Sequence, residues 1–521
     1  MPKIKKSEVL KPIILTPQKF KFFMGTGNNH DLVIQILKTR PWWVQTEDKD
    51  HCSLAWQQWT PSQQFYAQQR PNNISNHLAG NIELHSKINL YKNLKKFLGK
   101  NAFRVLMPTY QLYGIEKANF EQHFKYLENP TLVPEKQSDI SVDEVIRSRS
   151  NALPMLNKKT SQIILPNLPH IIVQKPKSPR SDSTIVKHLP NKTLPEFHAT
   201  PIELNRKNLW ILKPEGMNRG FGIQVISSLE QINEHINQCR VQPIKPTKPV
   251  KKQVKPKLTL DQIIKTHTTQ QFLIQKYIEN PFLFEERKFD IRCFALVTAK
   301  GEIFIYNRGY LRLTGEKFDI ESTDMRTHLT NNAVQKLLEN YSQFEEGNMK
   351  TFEDLDRSIF EASQKQDYFS KVIWPKMKKT VAECVASVGQ RILGQYACHN
   401  CFELFGFDFM IREDLSYILI ECNANPCIEL SSPVSWWLIP ELLDDVFELT
   451  IDKTFKDQGT LDLVGSLKGK QTFQKKSVEQ WRSINPEDRK LEGMRWQELQ
   501  RGFKVERPND FQLYVEQWRS I

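Results

Sequence analysis

The sequence predicts an α+β fold, because apolar runs of strand length alternate with helical patterns along most of the chain. From about residue 205, strand-like runs occupy residues 208–214, 223–226, 271–278, 289–297 and 303–306. A hydrophobic content of 39% and a charged content of 25% are typical of a folded protein and not of a disordered one. The length of 521 residues is enough for two to four domains with cores of their own.

The first predicted domain, residues 1–110, is an α/β unit. A strand at residues 20–24 is followed by a glycine-containing turn, and Asp31 is placed to cap a helix that continues through Leu37. A second helix is predicted over residues 83–98, where apolar residues recur at helical spacing and lysines occupy the other face.

Composition separates the remaining regions. Residues 111–204 form a central region that is rich in Pro, Ser, Lys and Asn from about residue 130, which predicts a partly disordered insertion. Residues 205–450 are the longest ordered segment, and residues 451–521 form a charged, basic extension. In this extension residues 478–484 recur identically as residues 515–521, which we interpret as two short helical docking segments.

The net charge of +14 favours a polyanionic partner, which could be a nucleic acid, an anionic lipid or an acidic protein. The sequence contains no recognition motif for DNA or RNA, so we expect no nucleic-acid partner. The basic N-terminus is followed by no apolar segment, and no run approaches 18 apolar residues, so we expect neither secretion nor a membrane span. These observations favour a cytoplasmic protein with an acidic protein partner.

Two neighbouring strands near residue 415 carry hard oxygen ligands. Asp408 lies in the first strand, and Glu421 and Asn423 lie in the second. A hairpin loop of even length would set Asp408 opposite Glu421, so that the three groups could hold one or two magnesium ions. An odd loop would separate them. On these two strands alone, a half-buried hairpin with a hydrated polar face is an equal alternative.

Strand alternation also predicts which side each residue faces. Glu421 and Asn423 are expected to project together, whereas Ile418, Ile420 and Cys422 are expected on the opposite face.

Residues 213–223 form a glycine-containing loop between two predicted strands. Its glycines would let backbone amides approach a triphosphate, and Lys213 could reach the phosphate oxygens. The spacing matches neither a Walker A loop nor a Rossmann turn. A protein kinase is excluded because no His-Arg-Asp loop is present and Asp408 is followed by Phe and Met.

A second charged group of residues lies on one predicted strand, where Lys288, Asp290 and Arg292 alternate with apolar residues. Arg312 adds a further cation. Each of these residues taken singly is better explained as a partner in a surface ion pair. Together with the glycine loop and the carboxylates, they are the groups that phosphoryl transfer or acyl-phosphate chemistry requires.

Six ordered blocks of the sequence resemble the tubulin tyrosine ligase family. They lie at residues 275–281, 287–292, 328–331, 344–348, 404–410 and 420–423. The resemblance runs from about residue 205 to 450, with a fainter echo at residues 76–87. It implies an ATP-grasp fold that holds ATP and Mg²⁺ between two α+β lobes, and makes residues 205–450 the catalytic domain.

The implied activity is the joining of a free amino acid to the acidic C-terminal tail of tubulin or microtubules through an acyl phosphate. The resemblance also implies a cytoskeletal location, with the cilium or basal body as candidates.

The resemblance assigns roles residue by residue. The residues implied to line the nucleotide site are Lys87, Lys213, Gln275, Lys276, Ile278 and Lys288. The implied magnesium ligands are Asp408, Glu421 and Asn423. The residues implied to surround the γ-phosphate, the acyl phosphate and the amino acid are Asp290, Arg292, Arg312, Thr330 and Asn331.

Two departures from the family pattern affect the expected amino acid. Arg308 stands where the family commonly has an acidic residue, and residues 313–315 replace a small hydroxylated run; both are expected near the amino-acid site. Tyrosine, glutamate and glycine therefore stay open as the added amino acid, although two blocks are nearer to the tyrosine ligase itself. The alternatives are an ATP-grasp ligase for another acidic protein and an inactive microtubule-binding scaffold. The intact set of expected ligands disfavours the scaffold.

Overall fold

The computed structural model describes residues 19–27, 30–62, 65–66, 73–128, 207–215, 220, 222–241, 271–336, 338, 341–394, 400–455 and 511–515. The predicted insertion, most of the glycine loop and the repeated segments apart from Val515 lie outside these residues. The chain divides into a compact unit of residues 1–121 and 205–521 and a second unit of residues 122–204. Of the second unit, only the end of the helix Gly114–Glu128 is described. The domain boundaries given above stay a prediction.

The N-terminal part forms a parallel sheet of four strands in the order β2-β1-β3-β4. The strands are β1 (Phe20–Met24), β2 (Trp43–Thr46), β3 (Leu54–Trp56) and β4 (Ile74–Ser75). Helix α1 (His30–Lys38) follows β1 and buries its apolar face, which confirms the predicted strand, turn and helix. Asp31 is not the capping residue. It lies in the first turn of α1, where its charge complements the helix dipole.

The helix predicted over residues 83–98 is two helices, α2 (Ile82–His85) and α3 (Lys87–Leu98). Ser86 separates them in an extended conformation, and its hydroxyl accepts a hydrogen bond from the backbone N–H of Asn89. Serine is a favoured capping residue because its oxygen satisfies an amide that the helix leaves unpaired. The break makes Lys87 the first residue of α3.

A second sheet of four antiparallel strands has the order β5-β8-β6-β7. Its strands are β5 (Thr109–Gln111), β6 (Trp210–Pro214), β7 (Gln224–Ile226) and β8 (Phe272–Lys276). We call it the small sheet.

The third sheet is antiparallel and has the order β11-β10-β9-β12-β13, with β14 paired to β10. Its strands are β9 (Arg287–Thr298), β10 (Ile303–Lys317), β11 (Met349–Lys350), β12 (Phe402–Ile411), β13 (Tyr417–Asn423) and β14 (Phe511–Val515). We call it the central sheet. Val515, the first residue of the second repeat copy, pairs with Ile303, so that copy begins at the end of a strand and not in a helix.

Helical layers cover both faces of the central sheet. The remaining helices are α4 (Gly114–Glu128), α5 (Leu229–Val241), α6 (Met325–His328), α7 (Asn332–Gln335), α8 (Phe352–Ser363), α9 (Trp374–Val388), α10 (Pro433–Leu449) and α11 (Ile451–Phe455). Ile291 and Cys293 of β9 pack in one core with α8 and α9, whereas Phe294 and Leu296 pack in a second core with α1 and α10. This mixture of sheets and helices confirms the α+β class. No helix in the described part of the chain is long and apolar enough to cross a membrane.

A buried polar cluster joins the segment after β4 to the central sheet. His77 donates from Nδ1 to Glu403 at 2.8 Å, and the Nε2 of His77 lies 2.9 Å from the carbonyl oxygen of Gln57. Glu403 also accepts from the backbone N–H of Leu78 and from Asn81. Burial alone would lower the pKa of His77, but the Glu403 carboxylate raises it on balance. Both ring nitrogens face acceptors, so the imidazolium form fits this position.

Replacing Glu403 with leucine is therefore expected to destabilise the protein by about 3 to 5 kcal/mol, because it leaves a buried charge and two buried donors without their acceptor. The loss should appear as a lower midpoint of thermal unfolding. Glu47→Gln, at an exposed position outside the helices, is the control and should leave the midpoint unchanged. An unaltered midpoint for Glu403→Leu would contradict a structural role for the cluster.

Candidate functional site

A cavity of about 790 Å³ lies between the small sheet and the central sheet. All fourteen residues to which the family resemblance assigns roles line it, so the structure brings together positions that are spread over more than 300 residues of chain. They are Lys87, Lys213, Gln275, Lys276, Ile278, Lys288, Asp290, Arg292, Arg312, Thr330, Asn331, Asp408, Glu421 and Asn423. Their individual roles stay predictions.

Asp408 of β12 pairs directly with Glu421 of β13, but not by the route that the sequence predicted. Ile411 pairs with Tyr417, so the loop of residues 412–416 has an odd length. The register then shifts after the pair Phe409 and Leu419, which leaves Ile420 as the extra residue of a β-bulge. The expectation that an odd loop would separate the two carboxylates is wrong, because the bulge restores their register.

The bulge also changes the face that Ile420 presents. Ile420 lines the same cavity as Glu421 and Asn423, contrary to strict strand alternation. Ile418 packs with Met410 beside this cavity and not with the core on the other face. Of the three residues expected on the opposite face, only Cys422 lies in that core.

Four buried charges form a continuous network at the inner wall of the cavity. Arg292 binds both oxygens of Asp408 through Nε and Nη2, the latter at 3.0 Å. Arg312 donates to Asp408 at 2.9 Å and to both oxygens of Asp290 at 2.7 Å. Thr330 donates its hydroxyl proton to Asp290 as well. We call these four charged residues the buried ion network.

The ionisation of the two carboxyl groups differs. Burial would raise the pKa of Asp408, but the two guanidinium groups outweigh it and hold this pKa at about 2. Burial raises the pKa of Asp290, and the neighbouring charge of Asp408 adds to that rise, although Arg312 opposes it. Asp408 is therefore the firmly ionised member of the pair.

The side chains around Asp408 fit a hard metal ion only if ligands from outside the protein complete its coordination. Asn423 Nδ2 lies 3.3 Å from Asp408 and 3.2 Å from Glu421, so the three side chains form one cluster. Within the described residues, no three or more His, Cys, Asp or Glu side chains are arranged to hold a metal ion. Two carboxylates and an amide, completed by phosphate oxygens and water, are the donor set that Mg²⁺ accepts beside a nucleotide.

The cavity also offers donors to an anion. Nη1 of Arg292 is buried and has no hydrogen-bond partner in the described structure. A buried donor of this kind is costly unless a ligand satisfies it. Lys87 also lines the cavity, with its Nζ 3.8 Å from Glu421.

Two buried lysines face the cavity with lowered pKa values. Lys213 donates to Gln275 at 2.7 Å, and burial lowers its pKa to about 8. Lys288 donates to the hydroxyl of Tyr277 at 2.7 Å, and burial, followed by the nearby charge of Lys213, lowers its pKa to about 7. The Tyr277 hydroxyl lies 2.7 Å from Nδ1 of His328. A bound anion would restore the charge on both lysines.

Lys276 differs from these two lysines. Its ammonium group bonds Glu279 and the carbonyl oxygen of Leu209, so its charge is already balanced inside the protein. Its contribution to the cavity is the strand backbone and the apolar stem, beside Ile278 and Ile211.

The glycine loop is described only in part. Gly220 and Gly222 have φ angles of +78° and +70°, in the left-handed region that favours glycine. A Cβ atom on Gly220 would lie 3.0 Å from Val334 and 3.4 Å from Asn331, so Gly220 lies close to both residues.

Several lining residues were not predicted from the sequence. Met410 and Ile420 add an apolar wall, Tyr277 and His328 hold Lys288, and Trp59 stands at the rim. Because alternate residues of a strand share a face, the position of Asp408 could have predicted that Met410 lines the cavity. The bulge at Ile420 and the position of Trp59 have no signal in the sequence.

Arg308 does not lie where the sequence predicted. It lines a separate cavity of about 630 Å³ with Trp437, and its guanidinium binds Glu441. Thr314 is fully buried, with its hydroxyl donated to the carbonyl oxygens of Lys288 and Glu316. Among the described residues, neither is part of the lining of the candidate site, so these departures give no information about its amino acid.

The structure places a cavity lined by lysines and arginines between a small and a large sheet, with the paired carboxylates of Asp408 and Glu421 in its wall. Comparison of sequences assigns the chain to a family. Residues 65–458 match the sequence profile of the Tubulin-tyrosine ligase family, and the chain belongs to this family.

Three characterised relatives are glycylases. Tubulin glycylase 3D of Tetrahymena thermophila is 30% identical over 47% of this chain and 21% of its own length. Tubulin glycylase 3B of Drosophila melanogaster is 30% identical over 47% of this chain and 29% of its own length. Human protein monoglycylase TTLL8 is 29% identical over 50% of this chain and 28% of its own length. The chain therefore spans less than a third of each of these relatives.

The lowered pKa values of Lys213 and Lys288 predict that both amines react at pH 8 with formaldehyde, a small uncharged aldehyde. Reduction with borohydride followed by peptide mass spectrometry would measure the labelling. Both lysines should be labelled faster than the exposed Lys96, because a large share of each amine is unprotonated at this pH. Equal labelling of all three would contradict the cavity's electrostatics.

Proposed function

We propose that this protein is an ATP-dependent ligase with an ATP-grasp fold, which joins an amino acid to a carboxylate of an acidic protein tail. The observation that carries the proposal is the convergence of all the predicted site residues on one cavity. Membership of the Tubulin-tyrosine ligase family adds to it. An inactive scaffold has no need of Lys213, Asp408, Glu421 and Asn423 together in one cavity.

In the proposed complex, the nucleotide lies between the two sheets. Ile278, Met410 and Ile420 would pack against the base, and the backbone of β8 would bond its edge. Lys213 and Lys288 would bind the phosphates as point charges, since each is buried and each gains its proton most easily beside an anion.

The residues around Asp408 fit a magnesium ion. Asp408, Glu421 and Asn423 would hold Mg²⁺. A bound Mg²⁺ would supply charge neutralisation between the phosphates and the acceptor carboxylate. Asn423 would turn its amide to present oxygen, since its NH₂ group faces both carboxylates in this structure.

The proposed reaction has two steps. An oxygen of the acceptor carboxylate attacks the γ-phosphorus of ATP, the bond to the β-phosphate oxygen breaks, and ADP leaves. The amine nitrogen of the amino acid then attacks the acyl carbon, phosphate leaves, and the nitrogen loses a proton. The first step brings two anions together and the second releases phosphate, and Arg292 and Arg312 would supply fixed positive charge for both.

The acidic acceptor is supported by the net charge of +14, which suits a glutamate-rich tail such as that of tubulin. The names of the relatives make glycine the first amino acid to test. The name protein monoglycylase also leaves room for an acceptor other than tubulin. A cytoskeletal location, including the cilium, is part of the same proposal.

The direct test is incubation of the protein with ATP, Mg²⁺ and tubulin, together with labelled glycine, glutamate or tyrosine in turn. Incorporation of one amino acid that depends on ATP supports the proposal and identifies the donor. A parallel incubation with a glutamate-rich protein other than tubulin separates the two kinds of acceptor. No incorporation into either acceptor would overturn the proposed activity.

Glu421→Gln should abolish ligation and leave binding to the acidic acceptor largely intact, because it removes a proposed metal ligand and leaves the basic residues unchanged. Turnover and co-sedimentation with microtubules measure the two properties. Glu413→Gln is the matched control, since Glu413 is exposed in the loop of the same hairpin. Undiminished turnover of Glu421→Gln would contradict the assignment of Glu421 as a metal ligand.

Affinity for Mg·ADP is expected to fall by roughly tenfold from about pH 7 to about pH 9. Lys213 and Lys288 lose protons in this range in the free protein, because their pKa values are lowered, whereas bound phosphate favours their charged forms. Binding must then take up protons. Calorimetry should show that the affinity of Lys288→Met for Mg·ADP falls less steeply with pH. The affinity of Lys96→Met should fall as steeply as that of the unsubstituted protein. A flat profile for the unsubstituted protein would contradict the assignment.

A further inference from the structure

Trp59 stands on a short loop that is fixed at several points. Gln57 exchanges two hydrogen bonds with the side chain of Asn76, at 2.8 and 2.9 Å. The hydroxyl of Thr60 is bonded to the side chain of Asn81, at 2.7 Å from Nδ2. Asn76 and Asn81 are themselves buried, and Asn81 also donates to the buried Glu403. The loop is thus anchored on both sides of Trp59.

Gln58, which lies between these anchors, has a close contact of its own. The side chain of Gln58 lies so close to Gly27 that a Cβ atom on this glycine would come within 1.7 Å of Oε1. Gly27 has a φ of +124°, a conformation that other residues rarely adopt. Two independent features of Gly27 therefore accommodate the loop that carries Trp59.

Despite these anchors, the Trp59 side chain is 71% exposed, the highest value among the large apolar residues of the described structure. A single exposed apolar residue usually needs no explanation. A tryptophan on a fixed loop at the rim of a cavity is a different case, because its loop is ordered in advance and its surface is free to bury a ligand.

The surroundings of Trp59 select the kind of ligand. Trp59 lines the same cavity as Lys87, Lys213 and Arg292. A chain that delivers a carboxylate to these cations has to leave the cavity past its rim. The indole ring can pack on the methylene groups of a glutamate, and its N–H can bond a carbonyl or a carboxylate oxygen.

We propose that Trp59, held by residues 57–60, is the platform on which the acidic acceptor chain lies while one of its carboxylates occupies the cavity. This inference rests on the proposed function and names the residue that positions its acceptor. Trp59 is a positioning residue and takes no part in the bond changes.

The test compares Trp59→Ala, Trp59→Phe and the unsubstituted protein. Binding of a fluorescein-labelled, glutamate-rich peptide in the presence of Mg·ADP is measured by anisotropy, and Kd for Mg·ADP is measured by calorimetry. Trp59→Ala should raise Kd for the peptide by roughly tenfold and leave Kd for Mg·ADP within about twofold. Trp59→Phe, which keeps a ring but lacks the N–H, should have a Kd for the peptide between those of Trp59→Ala and the unsubstituted protein. Phe360→Ala, which removes an exposed ring at the separate cavity, is the matched control and should match the unsubstituted protein.

In ligation assays, Trp59→Ala should raise KM for the acceptor without an equal fall in kcat, whereas a purely structural role would lower kcat and the unfolding midpoint together. The platform is overturned if the unsubstituted protein does not bind the peptide. It is also overturned if Trp59→Ala has the Kd of the unsubstituted protein for the peptide, or if it loses affinity for the nucleotide and the peptide equally. Peptide binding that depends on Trp59, without any incorporation of amino acid, would overturn the proposed activity alone.

Discussion

Asp408 is held between the guanidinium groups of Arg292 and Arg312 inside the central sheet, and Arg312 in turn holds Asp290. Burial of four charges is tolerable only when each is paired, because an unpaired charge in this position is far costlier than the pair. The network therefore fixes the relative positions of β9, β10 and β12. In the described structure it leaves Nη1 of Arg292 without a partner, and Lys87 and Lys213 line the same cavity as Arg292.

The N-terminal part of the chain completes the cavity. The break at Ser86 makes Lys87 the start of α3, where it reaches Glu421, and the cluster of His77 and Glu403 fixes the preceding segment to β12. The same segment anchors the loop of Trp59 through Asn76 and Asn81. One polar segment thus connects the ion network, the proposed phosphate site and the proposed acceptor platform, which explains how a region outside the central sheet could govern acceptor binding.

The sequence predicted many of the strands and the residues that meet in the cavity, because alternation and residue type are local properties. Lys288, Asp290 and Arg292 share a face as expected, and each lines the cavity. The bulge at Ile420 was not predictable, since register depends on packing against β12 and not on the residues of β13 alone. The prediction for Arg308 was wrong for a related reason. The pairing of β9 with β10 shifts between Ile305 and Gly309, and Arg308 lies between these residues and lines the separate cavity.

The central claim, that a carboxylate is activated by ATP beside the ion network, is tested most directly by isotope transfer. The acceptor peptide carries ¹⁸O in its side-chain carboxylates, and the phosphate released during amino-acid addition is examined by mass spectrometry. An acyl phosphate transfers one carboxylate oxygen to the phosphate, so each phosphate formed per added amino acid should contain one ¹⁸O atom. Amino-acid addition with unlabelled phosphate would contradict the account.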